Sequence, residues 1–138
     1  MMRCKTLLVI SCLALFGCQS PIDDMMNNEF VTVKPQTSPS NLIGVWSGNM
    51  GPYLTSFKID QDGTGLFCYS YGTSDALQKI KYNNDILHIQ DGTKLNIINT
   101  QSENLILKSS YAGAQKTTLI KDNDLLEASH FCAERFKR

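Results

Sequence analysis

The sequence predicts an all-β domain, a small antiparallel up-and-down barrel of about eight strands. Three observations predict it. From Asn41 onward apolar and polar residues alternate with period two, as in Lys79-Ile80-Lys81-Tyr82 and Asp85-Ile86-Leu87-His88-Ile89. Turn-forming groups interrupt this alternation about every eight to twelve positions. Finally, about eight short strands in about 95 residues leave exposed edges unless the sheet closes on itself, and closure removes them.

The chain begins outside that domain. Met1-Met2-Arg3-Cys4-Lys5 is cationic, and Thr6 to Phe16 is a mostly apolar run of about ten residues, the pattern of a secretory signal. The run is too short for a transmembrane helix, which needs about 20 apolar residues. It ends in Leu15-Phe16-Gly17-Cys18, with an aliphatic residue three before the cysteine and a small one just before it. This resembles the lipobox of bacterial lipoproteins, although Phe16 is bulkier than the usual occupant of its position. The resemblance implies a signal peptide over 1–17, cleavage after Gly17 and acylation of Cys18, palmitate among the expected chains. Two or three acyl chains anchor stably, since each buried methylene contributes roughly 0.8 kcal/mol. Gln19 stands where an Asp would imply retention at the inner membrane, so the resemblance implies a lipid-anchored outer-membrane protein facing the periplasm or the surface.

Residues 18–40 form the next unit. Pro21, Pro35 and Pro39 punctuate a stretch rich in Ser, Asn, Gln and Thr, which reads as a flexible tether lifting the domain off the membrane. Within it Phe30-Val31-Thr32-Val33 also fits a short strand. With the signal peptide go Arg3 and Lys5, leaving 11 basic against 13 acidic side chains, a formal charge of −2. No basic stripe remains to neutralise phosphates, so nucleic acid is not an expected partner.

The domain proper spans 41–138, with strands expected over 42–49, 53–60, 64–72, 76–82, 85–90, 93–99, 103–110 and 115–121. Ile59, Ile97, Leu105, Leu107 and Leu119 continue the inward face. Asp60-Gln61-Asp62-Gly63, Asn83-Asn84-Asp85, Gln90-Asp91-Gly92 and Asp122-Asn123-Asp124 supply turn residues that tolerate positive φ or cap their own backbone. The C-terminus fits two arrangements. A helix from 124 onward would use Asp124 as N-cap and Glu127 as its capping-box partner. A short strand followed by one or two helical turns is the favoured alternative.

Of the five cysteines, Cys4 and Cys12 leave with the signal and Cys18 carries lipid, so only Cys68 and Cys132 remain. Two cysteines in an oxidising compartment are expected to pair. The competing states are buried free thiols or a metal pair, and no His or Cys stands at a ligand spacing from either.

Catalytic chemistry is thin. His88 and His130 are the only histidines, and His88 alternates with apolar neighbours in a strand. Asp60-x-Asp62-Gly63 lacks the further oxygen ligands and terminal Glu of a calcium loop and reads as a hairpin. No nucleophile elbow is present and Gly63-Thr64-Gly65 precedes no lysine and helix. Neither an enzyme nor a cofactor or metal is expected.

Leu42-Ile43-Gly44-Val45-Trp46 resembles the Gly-x-Trp start of the first strand in lipocalin-like barrels, and Asp62-Gly63-Thr64-Gly65 resembles the next hairpin tip of small lipocalin-like bacterial lipoproteins. The alternative is a core tryptophan in another β fold. The resemblance implies that Gly44 and Trp46 form the closed base, covered by a basic residue from the far end of the chain, for which Arg135 is the candidate. It also implies a non-catalytic module that binds an apolar ligand or docks an envelope protein, with Tyr53, Tyr69, Tyr71 and Tyr82 as candidate contacts. The alternative function is inhibition of a lysozyme-like enzyme: Ser109-Ser110-Tyr111-Ala112-Gly113-Ala114 faintly resembles the inhibitory loop of C-type lysozyme inhibitors, with its residues in a different order.

Overall fold

Alternation and turn chemistry close the chain into a barrel. The computed structural model describes residues 20–138, so the expected signal peptide and Cys18 lie outside the described residues. The strands are β1 (Gly44–Met50), β2 (Tyr53–Ile59), β3 (Thr64–Tyr71), β4 (Ser74–Asn83), β5 (Ile86–Ile89), β6 (Lys94–Thr100), β7 (Asn104–Ser109) and β8 (Lys116–Lys121). Each pairs antiparallel with its sequence neighbour, and β8 returns to β1 at Trp46↔Lys121 and Ser47↔Ile120. The expected all-β up-and-down barrel is therefore the observed one.

Register explains the core. Trp46 faces Phe57 and Phe57 faces Phe67 across adjacent strands, so three inward aromatics lie side by side. The Phe57 and Phe67 rings stack at 4.6 Å. Ile80↔Ile89, Leu87↔Leu95 and Leu105↔Leu119 continue the same interior layer, and all belong to one buried cluster. The β4–β5 turn places Asn84 (φ 49°) and Asp85 (φ 59°) in the left-handed region, as a two-residue hairpin of that twist requires. One irregularity breaks the alternation: a bulge between Ile97 and Asn99 gives β6 an extra residue and leaves Ile98 exposed on the outside.

After β8 the chain turns at Asp122, a buried carboxylate. It accepts hydrogen bonds from Ser47 Oγ (2.8 Å) and from the amides of Leu126, Glu127 and Ala128, which ties the 125–128 loop to β1. Leu125 takes φ 59°, so no helix runs through it and the expected cap at Asp124 is not used. The helix α2 begins later, at His130–Phe136, with Ser129 Oγ accepting the Cys132 amide at 3.2 Å. No strand precedes it between Asp124 and Ser129; the two-turn helix of the favoured arrangement is present. α2 lies on the outer wall, where Cys132 is joined to Cys68 of β3 and Phe136 packs with Val45. The expected disulfide is thus the staple that docks the C-terminus.

The described part of the stretch read as a tether lies against the barrel. It opens with one helical turn, α1 (Asp23–Met26), and Phe30 to Thr32 forms a turn, with no strand over Phe30 to Val33. Lys81 Nζ donates to Phe30 O, Asn83 Nδ2 to Lys34 O and the Gln36 amide to Tyr82 O, each at 2.8 Å. The amides that suggest a solvated linker satisfy the hairpin turns instead. Gly63 (φ 84°) makes the crossing possible, because a Cβ there would overlap the Gln36 carbonyl.

Candidate functional site

The two ends of the barrel differ, and the difference follows from which side chains point inward. At one end Trp46 is fully buried, with Nε1 donating to Leu42 O at 2.9 Å. Gly44 (φ 128°) brings the chain into β1 so closely beneath Asn123 that a Cβ would sit 2.6 Å from its Oδ1. That same oxygen accepts the Val45 amide at 2.9 Å. The Gly-x-Trp motif therefore lies at the end of the barrel that Trp46 fills.

The basic residue covering it is not Arg135. Lys121 Nζ lies 4.7 Å from the Trp46 ring centroid and donates to Ile43 O at 3.1 Å. Arg135 sits on the outer wall over Phe131, at 5.0 Å. The cause is the disulfide: with Cys132 fixed to β3, α2 stays outside the barrel and Arg135 stays with it. Lys121 has the right parity, two residues beyond inward Leu119, and is the register partner of Trp46. That parity was the available signal, but it required knowing that β8 closes on β1.

At the opposite end the lumen opens into a cavity of about 830 Å³, within the usual range for small-molecule sites. Its floor is Phe67, Ile89 and Leu95, and its walls rise to the β1–β2 and β7–β8 tips. One wall is aromatic. Tyr71 contacts Tyr53 at 5.4 Å, Tyr53 contacts Tyr69 at 5.3 Å, Tyr69 contacts Phe67 at 5.3 Å, and Phe67 stacks on Phe57. This ladder runs from a half-exposed rim into the buried core. The facing wall is polar, with Thr93, Ser109, Gln115 and Thr117, and Lys116 is the one charged residue among those lining the cavity. An apolar body with a single anionic group fits such a mouth.

Of the four tyrosines expected to meet a ligand, Tyr53, Tyr69 and Tyr71 come together here. Tyr82 does not: it is buried at the closed half, where its hydroxyl donates to Asp85 Oδ1 at 3.0 Å and burial raises its pKa. Tyr111 and Lys116 line the mouth but lie in the loop after β7 and at the start of β8, where no alternation marks them. The Ser109–Ala114 stretch is that rim loop, and Ser110 Oγ donates to Asp24 Oδ2 at 2.5 Å.

His88 is half-buried on the outer face of β5, and burial, with nearby Lys94, lowers its pKa below 6.5. Asp62 serves as the hairpin cap expected of it: its Oδ1 accepts the Thr64 hydroxyl and amide, and these bonds lower its pKa. Among the described residues no three His, Cys, Asp or Glu converge in a way that could hold a metal ion.

A closed eight-stranded antiparallel meander, with a Gly-x-Trp base and a helix against its outer wall, defines a lipocalin-like barrel. The chain belongs to the family described as the bacterial lipocalin LPS transport optimiser YedD, whose family model matches residues 27–136. No curated protein and no solved structure matches the chain.

Proposed function

We propose that this chain is a lipid-anchored lipoprotein of the outer membrane whose barrel mouth holds an acyl chain with an anionic head, and that it serves LPS transport as its family description states. One observation carries the reading: the half-open lumen, with its aromatic ladder on one wall and Lys116 as the one charged residue among those lining it. Burial of a chain along the ladder supplies affinity, roughly 0.8 kcal/mol per methylene, while Lys116 attracts the phosphate or carboxylate. The family description, LPS transport, matches this chemistry, since lipid A joins acyl chains to phosphates.

Native mass spectrometry of the delipidated protein mixed with lipid A tests the binding. A one-to-one adduct is expected. Ser109→Trp, which fills the mouth, should abolish it without lowering the melting temperature by more than a few degrees. Lys116→Glu should weaken lipid A binding several-fold while sparing an uncharged fatty alcohol. A folded wild-type protein that retains no acylated amphiphile contradicts the reading.

The anchor is tested separately through Cys18. Cys18→Ala should yield a precursor that is unprocessed or soluble and takes up no labelled palmitate. A variant that still takes up label and fractionates with the outer membrane contradicts the assignment.

A further inference from the structure

The strap between the expected lipid and the barrel carries directional information. From Leu42 at the closed base it climbs the outer wall toward the start of the chain, bonding Gln36 to Tyr82, Lys34 to Asn83 and Asn28 to Gln90 in turn. It ends at the open end. A Cβ on Gly92, at the β5–β6 tip, would meet Asp24 O at 2.6 Å, and the Asp24 carboxylate accepts Ser110 Oγ of the β7–β8 loop. Both tips border the mouth, whose lining includes Thr93 and Tyr111. The Ser20 amide is folded back onto Asp23 Oδ2 at 2.6 Å, and only Gln19 separates Ser20 from Cys18 in the sequence. At about 3.3–3.6 Å per residue, the chain allows Cys18 to lie no more than about 7 Å from Ser20.

The two ends also differ in surface chemistry. Around the mouth, α1 and its approach expose Ile22 (60%), Met25 (48%) and Met26 (78%), while across the opening Tyr53 and Tyr71 are 41% and 55% exposed. Rim carboxylates are occupied locally: Asp24 with Ser110, Asp75 with Ser70, Asp91 with Gln78. The closed half is mixed. Its turns and the loop after β8 expose Asp60, Asp62, Asp85, Glu103, Asp124 and Glu127, but also Val31 (90%) and Leu126 (82%), and Lys34, Lys137 and Arg138 are exposed on the same half. Tyrosines and apolar side chains gathered around one opening suit the interface of a bilayer.

From these observations we infer that the barrel sits mouth-down on its membrane, with α1 and the tyrosine rim in contact with the phospholipid headgroup layer and the closed end pointing away. The occupant of the apolar rim is the lipid leaflet itself. The cavity then opens directly onto the layer that supplies acyl chains, so a ligand enters it without crossing water. The inference rests on the lipid-anchor reading of Cys18.

The test uses the full lipidated protein, purified from the envelope and reconstituted in vesicles of phosphatidylethanolamine and phosphatidylglycerol. An environment-sensitive thiol dye is placed on one of three exposed positions, Met26→Cys and Thr73→Cys at the rim or Ser102→Cys at the base. Doxyl-labelled phospholipid serves as quencher. Quenching several-fold stronger at positions 26 and 73 than at 102 is expected, with a blue shift at the rim only. Equal or stronger quenching at position 102, or none at any position in protein that co-floats with the vesicles, overturns the mouth-down orientation and leaves the anchor standing. Protein that does not co-float overturns the anchor, and the orientation falls with it.

Discussion

Replacing Trp46 with alanine should cost about 3–5 kcal/mol of stability, the usual range for deleting a large buried aromatic. Trp46 is fully buried, lies beside Phe57 in register, accepts Lys121 over its ring and ties Leu42 O to the barrel through Nε1. The substitution therefore opens a cavity at the closed end and strands a buried carbonyl. Urea unfolding followed by circular dichroism measures the effect, since the chain's only tryptophan is itself removed. A fall in midpoint with an unchanged slope is expected. Trp46→Phe should cost less, because it keeps most of the volume and loses only the Nε1 bond. A loss below about 1 kcal/mol for Trp46→Ala would show that the base is not a packed plug.

The second large effect belongs to the disulfide. Cys68 and Cys132 are 64 residues apart, so on the chain-entropy model their bond stabilises the fold by about 4 kcal/mol. The double variant Cys68→Ser/Cys132→Ser loses that constraint and places two hydroxyls in a fully buried site. α2 is only seven residues long and is held by the bond, Phe136 and few other side chains. It should therefore detach before the barrel opens. Amide exchange over His130–Phe136 should become fast while the strands stay protected, and the melting temperature should fall by more than ten degrees. Coincident exchange of helix and strands, or an unchanged melt, contradicts this order.

These effects show which features could be read from the sequence. The barrel was legible because alternation in residues such as Ile80, Tyr82, Leu87 and Ile89 reports a wall with one apolar face, and the turns carry residues that tolerate positive φ. The disulfide followed from counting cysteines. Arg135 was misassigned because charge and distance along the chain say nothing about which side of the wall a helix occupies. Lys121 was hidden because its role depends on the β8–β1 pairing, the most non-local contact in the barrel. The strap was read as solvated because Asn28, Gln36 and their partners are polar, yet those amides bond hairpin carbonyls and one another. Of the binding site, the tyrosine pattern on β2 and β3 was visible, whereas Tyr111 comes from the rim loop and Lys116 from the first position of β8, whose places at the mouth only the closed barrel defines.

The central claim, that the open half of the lumen is a site for an anionic acyl amphiphile, is tested most directly by nuclear magnetic resonance on the nitrogen-15-labelled Cys18→Ala protein, kept unlipidated. Titration with lipid A should give saturable shifts at Tyr53, Tyr69, Leu95 and Tyr111 while the indole signal of Trp46, at the closed base, stays fixed. Shifts that fail to saturate, that centre on the closed end, or that are absent altogether would contradict the account.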